Sequence, residues 1–192
     1  MKERFMIIWL MRMSLLVVIL HLSLPERCHS KEFELVAIGV RGAINFKDAG
    51  LPPGEKEDFE QFDVFGIIGL PWSWEYSSGW EMRWRLNGSA GALRGAGDVG
   101  FITTLTPGFA FTKKAWRLTL DVGGGGAFLS KWEFGRQDIG GPFQFIGHGG
   151  VSVHLHGNLV AGYRFHHMSD GTIYGNNRGV DLHMLELSYA FE

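Results

Sequence analysis

A two-residue alternation of apolar and polar side chains is the most constraining feature of this sequence. It is clearest over residues 80–87, which read WEMRWRLN. Successive side chains of a β-strand point to opposite faces, so this segment predicts a strand with one apolar, aromatic face and one charged face. Similar patterns predict about eight strands in all, the other seven near residues 33–43, 62–74, 98–112, 116–122, 143–156, 159–169 and 181–191.

The connections between these strands alternate in length. Short ones are predicted at residues 77–79, 113–114 and 157–158, and long ones at 45–58, 87–98, 123–141 and 170–180. Short inner turns and long outer loops are typical of outer-membrane barrels, whereas a soluble β-sandwich or barrel has no reason to sort its loops by end. We therefore predict an all-β fold, an eight-stranded antiparallel transmembrane β-barrel. Its polar lumen should pair the charged side chains of Arg83, Arg85, Arg117, Asp121 and Arg164.

The N-terminal segment is typical of a secretory signal peptide. Basic Lys2, Arg4 and Arg12 precede the apolar run at residues 13–20. A membrane anchor is disfavoured because Arg12 interrupts the apolar stretch before it reaches the roughly 20 residues that span a bilayer. We predict a signal peptide at residues 1–30 and a barrel domain at residues 31–192, with cleavage near Ser30. The one cysteine falls within the peptide, and a formal net charge of −2 gives no indication of a nucleic-acid partner.

Polar residues interrupt the apolar face of the last two predicted strands. His167 and Ser169 share the parity of Tyr163 and Phe165, so both should face lipid at a strand end, where polar groups cost little. Side chains two apart on a strand lie about 6.5–7 Å apart on one face. Asp181 begins the neighbouring strand and completes a serine, histidine and acid set. In such a set, histidine deprotonates serine and the carboxylate orients the imidazole.

The same region resembles the outer-membrane lipid A 3-O-deacylases of the PagL type. That family has a His-x-Ser-Asn-Ala pattern, then Asn-x-Gly-x-acid before a final aromatic strand, and residues 167–181 match most of it. The resemblance implies that His167 is the base, Ser169 the nucleophile and Asp181 the orienting acid. It also implies that residues 170–171 supply oxyanion-hole amides, with Asn177 and Gly179 as positioning residues. The sequence departs from the family at three positions, with Asp170 for asparagine, Gly171 for alanine and Asp181 for glutamate.

The resemblance implies an esterase that removes an acyl chain, expected to be 3-O-linked, from lipid A in the outer membrane of a Gram-negative bacterium. No metal or cofactor is expected, and the lumenal histidines His148, His154 and His156 are interpreted as polar lumen groups. The implied partners are lipopolysaccharide, outer-membrane lipid and the barrel-assembly machinery, which would recognise the C-terminal strand; a homodimer is left open. Two alternatives remain: a non-enzymatic small barrel of the OmpA/OmpX type, and an acyltransferase that shares the acyl-enzyme step.

Overall fold

The computed structural model describes residues 27–46, 55–175 and 179–191. Almost all of this chain is β-strand, apart from turns, loops and a short 3-10 helix at Lys114–Trp116. Three strands are short: β1 (Arg27–Ser30), β7 (Glu133–Phe134) and β8 (Gln137–Asp138). The eight long strands are β2 (Glu34–Ile44), β3 (Phe59–Glu75), β4 (Trp80–Gly95), β5 (Asp98–Lys113), β6 (Leu118–Leu129), β9 (Phe143–His154), β10 (Leu159–Ser169) and β11 (Gly179–Ala190).

The eight long strands form one closed antiparallel sheet. Their order is β3-β2-β11-β10-β9-β6-β5-β4, and β4 pairs again with β3 to close the barrel. This confirms the predicted fold class. Strand β1 pairs with the last four residues of β3 and is not one of the eight barrel strands. It lies within the predicted signal peptide, whose cleavage remains a prediction. In the described ranges, no helix has the length and apolar character needed to cross a membrane.

The outer surface of the barrel is apolar, as the alternation predicts. Lipid is the environment in which such a continuous belt is stable, since a soluble protein rarely exposes large apolar patches. Seven of the eight long strands contribute exposed apolar side chains to the belt, among them Val40, Phe62, Val64, Trp72, Phe101, Leu105, Leu120, Val122, Phe145, Val151, Leu159, Tyr163, Leu185, Leu187 and Tyr189. Strand β4 contributes the half-buried Trp80, Trp84 and Leu86.

Buried ion pairs fill the lumen. Arg164 bonds Asp121 at 2.7 Å and Glu186 at 2.6 Å, while Arg41 bonds Asp63 at 2.5 Å and the same Glu186 at 3.1 Å. Each charge has a partner of opposite sign, which offsets the cost of taking it out of water. The predicted lumenal pairing is therefore confirmed for Arg164 and Asp121. It is confirmed also for Arg83, which bonds Glu34 and the Leu70 carbonyl oxygen, whereas Arg85 lines the lumenal cavity.

An apolar cluster closes the lumen at the end that carries the long loops. Phe59, Phe134 and Ile139 are fully buried there, and the rings of Phe59 and Phe134 pack edge to face at 5.5 Å. The β7–β8 hairpin supplies Phe134. Met168 of β10 and Val180 of β11 join the same cluster. This packing fixes the ends of β10 and β11 from the inside, directly behind the candidate site.

The prediction of a long loop at residues 87–98 is wrong. Strand β4 continues to Gly95 and β5 begins at Asp98, so only Ala96 and Gly97 connect them. Both have positive φ, 49° and 85°, which is typical of a two-residue hairpin turn whose twist matches that of the flanking strands. The alternation persists through residues 87–95 with glycine and alanine on the outer face, and these small residues made the segment resemble a loop.

Two further expectations are corrected. The four glycines at 123–126, predicted to begin the long connection at 123–141, are part of β6. A Cβ at Gly125 would lie 2.1 Å from the Leu105 carbonyl oxygen, so glycine is required for the close approach of β5 and β6. Arg117 is not lumenal. It is exposed at the end of the 3-10 helix, with φ 53°. Arg117 shares the parity of Thr119 in the sequence, but it precedes the first residue of β6, so the strand alternation does not apply to it.

Candidate active site

The register of β10 against β11 brings the predicted catalytic residues together. His167 is the direct cross-strand partner of Asp181, and Ser169 is the partner of Gly179. The outward parity of β10 carries His167 and Ser169, whereas His166 and Met168 are buried on the inner side. Both pairs lie at the end of the barrel that carries the long loops. The prediction that these polar groups share the lipid-facing surface agrees with this register.

His167 and Asp181 form a short hydrogen bond, with 2.5 Å between Nδ1 and Oδ1. The Asp181 side chain is 3% exposed and that of His167 is 31% exposed. A carboxylate at Nδ1 holds the proton on that nitrogen, so the second ring nitrogen, Nε2, is left to act as a base. The pair thus has the arrangement that activates a hydroxyl nucleophile.

Ser169 lies beside this pair without yet bonding it. In the described ranges, no hydrogen bond joins the Ser169 hydroxyl to the His167 imidazole. A Cβ at Gly179 would lie 3.3 Å from His167 Cε1 and 3.6 Å from Ser169 Cβ, so these three residues share one patch of surface. Catalytic hydrogen bonds often tighten only when substrate binds, so this arrangement is compatible with a Ser169–His167 hydrogen bond in the complex with substrate.

The surface next to His167 on the β9 side has no side chain. Gly147 is the cross-strand partner of His167, and a Cβ placed there would have no atom within 4 Å. Phe145, which pairs with Ser169, is exposed and packs against Phe143. The reactive groups are therefore open to a molecule that approaches from the lipid side.

Asp170 differs from Ser169 and Gly171 on either side of it because its side chain is fully buried. Its Oδ1 accepts a hydrogen bond from the Thr172 backbone N–H at 3.0 Å, which is an Asx-turn. The carboxylate also packs against Gly140, where a Cβ would lie 2.8 Å from Oδ2. Asp170 thus has a role in the turn after Ser169, and asparagine could fill that role equally well through its own Oδ1.

We expect Asp170→Asn to retain activity within about threefold of the unmodified protein, because the amide oxygen preserves the turn. Asp170→Ala should lower activity by about tenfold or more. It removes the bond to the Thr172 N–H, so the turn no longer holds the backbone amides after Ser169 in place. Initial rates of fatty-acid release, measured with folded protein in detergent, check this. Equal rates for the alanine and asparagine variants would contradict the assigned role.

The remaining predicted positioning residues are only partly described. Gly171 has φ 57° and lies under the Phe145 ring, where a Cβ would be 2.8 Å from Cδ2. Glycine therefore suits both the backbone conformation and the space. Gly179 lies in the site, as the cross-strand partner of Ser169. Asn177 lies outside the described residues.

The comparisons with known proteins bear on this geometry. A family model described as lipid A 3-O-deacylase (PagL) matches residues 62–190, which is more than half of the chain and includes His167, Ser169 and Asp181. The chain belongs to this PagL family. Membership of the family identifies the protein as an outer-membrane β-barrel of a Gram-negative bacterium and as a lipid A deacylase at the level of the family. A search of curated proteins gives no match.

One solved structure shows the same fold. The crystal structure of the outer membrane enzyme PagL is similar with a TM-score of 0.63 and 16% sequence identity, covering 79% of this chain and 98% of that one. The Yersinia pestis outer membrane protein Ail, in a phospholipid bilayer nanodisc, has a TM-score of 0.44 and 14% identity, covering 82% of this chain and 100% of Ail. At 16% identity the likeness to the PagL crystal structure concerns the barrel and not the chemistry.

Two features of this PagL-family site were missed from the sequence. The Asp181 backbone N–H donates to Glu55 Oε1 at 2.7 Å, although Glu55 lies 126 residues earlier in the chain. Two residues along β11 from Asp181, His183 Nδ1 forms a hydrogen bond with the Tyr163 hydroxyl at 2.7 Å on the lipid side. The alternation could have indicated the Tyr163–His183 pair, because both residues are on the outer parity of adjacent strands. Nothing in the sequence around Glu55 indicated its contact.

Proposed function

We propose that this protein is a serine esterase that hydrolyses an acyl ester of lipid A, the 3-O-linked one, in the outer leaflet of the outer membrane. The observation that carries the proposal is the His167–Asp181 hydrogen bond, two residues from Ser169 on a lipid-facing surface. A structural barrel has no need of a buried acid bonded to histidine at its lipid boundary. Membership of the PagL family supports the same substrate.

The first half of the reaction forms an acyl-enzyme. His167 Nε2 takes the proton from Ser169 Oγ as the oxygen attacks the ester carbonyl carbon, and Asp181 stabilises the imidazolium that results. The tetrahedral oxyanion then collapses, the bond to the sugar oxygen breaks, and Nε2 returns its proton to that oxygen. The deacylated sugar leaves with a free hydroxyl. The acyl chain remains as an ester on Ser169.

The second half regenerates the enzyme. Water gives a proton to His167 Nε2 as its oxygen attacks the ester carbonyl carbon of the acyl-enzyme. The bond to Ser169 Oγ then breaks, Nε2 returns its proton to Oγ, and the fatty acid is released. The backbone N–H of Gly171 has no hydrogen-bond acceptor within the part of the chain described, so it is available to the oxyanion. Each step uses only side chains, backbone and water. With water as the acceptor of the acyl group the reaction is a hydrolysis, whereas an acyltransferase would pass the same acyl group to another hydroxyl.

The position of the site supports lipid A as the substrate. The open surface at Gly147 and the exposed ring of Phe145 allow an acyl chain to lie against the barrel wall beside His167. Long loops are found on the outer side of outer-membrane barrels, so this end of the barrel would meet the outer leaflet. Assembly through the C-terminal aromatic strand and formation of a homodimer remain predictions.

The test is hydrolysis by the purified protein in detergent. We expect release of 3-hydroxy fatty acid from lipopolysaccharide, and at least about tenfold slower release of fatty acid from a phospholipid, because the site must recognise the sugar-linked ester. Gas chromatography of the free fatty acids measures both rates. A folded protein that releases no fatty acid from lipopolysaccharide would contradict the proposed function and favour a structural barrel.

A further inference from the structure

Glu55 contacts the end of β11 where that strand lacks a neighbour. Strand β2 pairs with β11 only as far as the Ile44–His183 pair, so Asp181 extends beyond the end of β2. The N–H of Asp181 would face solvent or loop at this edge. Glu55 occupies the position instead, and its Oε1 accepts that N–H at 2.7 Å. Glu55 is itself 8% exposed, although glutamate is seldom buried without a specific reason.

The segment that carries Glu55 is anchored by other contacts. The Lys56 N–H donates to Gln137 Oε1, and Glu57 accepts from the Arg136 backbone and side chain. Asn45 bonds both the Glu57 carbonyl oxygen and the Phe59 N–H. These bonds join the segment to the β7–β8 hairpin and to the end of β2, and they do not involve Asp181. Loss of the Glu55 side chain would therefore leave the segment in place.

We infer that Glu55 is a positioning residue for the esterase reaction: it fixes the backbone of Asp181 and, through Asp181, the orientation of the His167 imidazole. The three groups form one chain of hydrogen bonds from Glu55 Oε1 to the Asp181 N–H, and from Asp181 Oδ1 to His167 Nδ1. This inference rests on the proposed function. Among the described residues, the hydrogen bond of Glu55 is to Asp181 and none joins it to Ser169, so we expect it to act on turnover and not on substrate binding.

The hydrogen bond from the Asp181 N–H requires an acceptor oxygen at the end of a side chain as long as glutamate, and it does not require a negative charge. Glu55→Gln keeps an oxygen at the same distance, whereas Glu55→Asp keeps the charge but is one methylene too short. We expect Glu55→Gln to stay within about threefold of the unmodified protein, and Glu55→Asp and Glu55→Ala to lower kcat by about tenfold with KM within about twofold. The matched control is Arg136→Ala, which breaks a bond of the same segment at a side chain that is 78% exposed.

The experiment measures kcat and KM for fatty-acid release from purified lipopolysaccharide, with heat-modifiable gel mobility as the report of folding. In an Asp181→Ala background, Glu55→Ala should have no further effect, because the group it positions is gone. Three results would overturn the inference: full activity of Glu55→Ala, an active aspartate variant beside an inactive glutamine variant, or the same loss with and without Asp181. If Glu55→Ala does not fold, the comparison of the aspartate and glutamine variants decides.

Failure of the proposed function gives a different result. In that case either the folded, unmodified protein would release no fatty acid, or Ser169→Ala would release it as fast as the unmodified protein, whatever the Glu55 variants do. If Ser169→Ala is inactive and Glu55→Ala is fully active, only the positioning role of Glu55 is wrong. The two conclusions are thus separated by one additional variant.

Discussion

Ser169→Ala and His167→Ala should each lower the rate of lipid A deacylation by about 10³-fold or more. Alanine at 169 removes the oxygen that forms the acyl-enzyme, and alanine at 167 removes the base that makes this oxygen nucleophilic. The double variant should be no slower than either single variant, because the two residues act as one unit. Initial rates with purified lipopolysaccharide measure the effect.

Both variants should assemble normally, because neither side chain belongs to the apolar cluster inside the barrel. Heat-modifiable gel mobility provides the control for folding. Met168→Ala is the matched contrast, since Met168 is fully buried in that cluster and its loss should lower stability by about 2–5 kcal/mol. A folded Ser169→Ala protein with the rate of the unmodified protein would remove Ser169 from the mechanism.

Asp181→Ala should lower the rate by about 10²-fold, which is less than the loss at Ser169 or His167. Asp181 bonds His167 Nδ1 and does not itself react, so a fraction of imidazoles still reaches the correct tautomer and orientation without it. Asp181→Asn should also be impaired, because an amide cannot stabilise the imidazolium as a carboxylate does.

Asp181→Glu is expected to retain more activity than either of these variants, since it restores the carboxylate and has the longer side chain found in the family. Single-turnover rates of acyl release compare all three. Leu185→Ala, at an exposed lipid-facing position of the same strand, is the control. An alanine variant as active as the unmodified protein would show that His167 works without an acid.

The fold could be predicted because period-two alternation depends only on local chemistry. In residues 80–87 every side chain belongs clearly to one face, and the predicted strand was confirmed. The prediction failed where small residues replaced large ones. Glycine and alanine do not indicate whether a position is buried or exposed, so the end of β4 and the glycines of β6 were interpreted as loops. In the structure, the end of β4 pairs with β5 and the glycines of β6 pair with β9.

The candidate site could be predicted where it depended on one strand pair. His167 and Asp181 were predicted to be neighbours because they share a parity and Asp181 begins the adjacent antiparallel strand, and the register makes them direct partners. The direction of Asp170 was not predicted, because the alternation near a strand end does not show which residue begins the turn. Glu55 was missed because its contact depends on where β2 ends relative to β11, which is a tertiary property.

Mass spectrometry of lipid A from cells that produce this protein tests the central claim most directly. Cells with the unmodified protein should yield lipid A lighter by one 3-hydroxyacyl chain, whereas cells with Ser169→Ala or an empty vector should yield the intact form. Gel mobility must show both proteins folded in the outer membrane. Intact lipid A beside the folded, unmodified protein, or the same loss of one chain with Ser169→Ala, would contradict the assignment of Ser169 as the nucleophile of a lipid A deacylase.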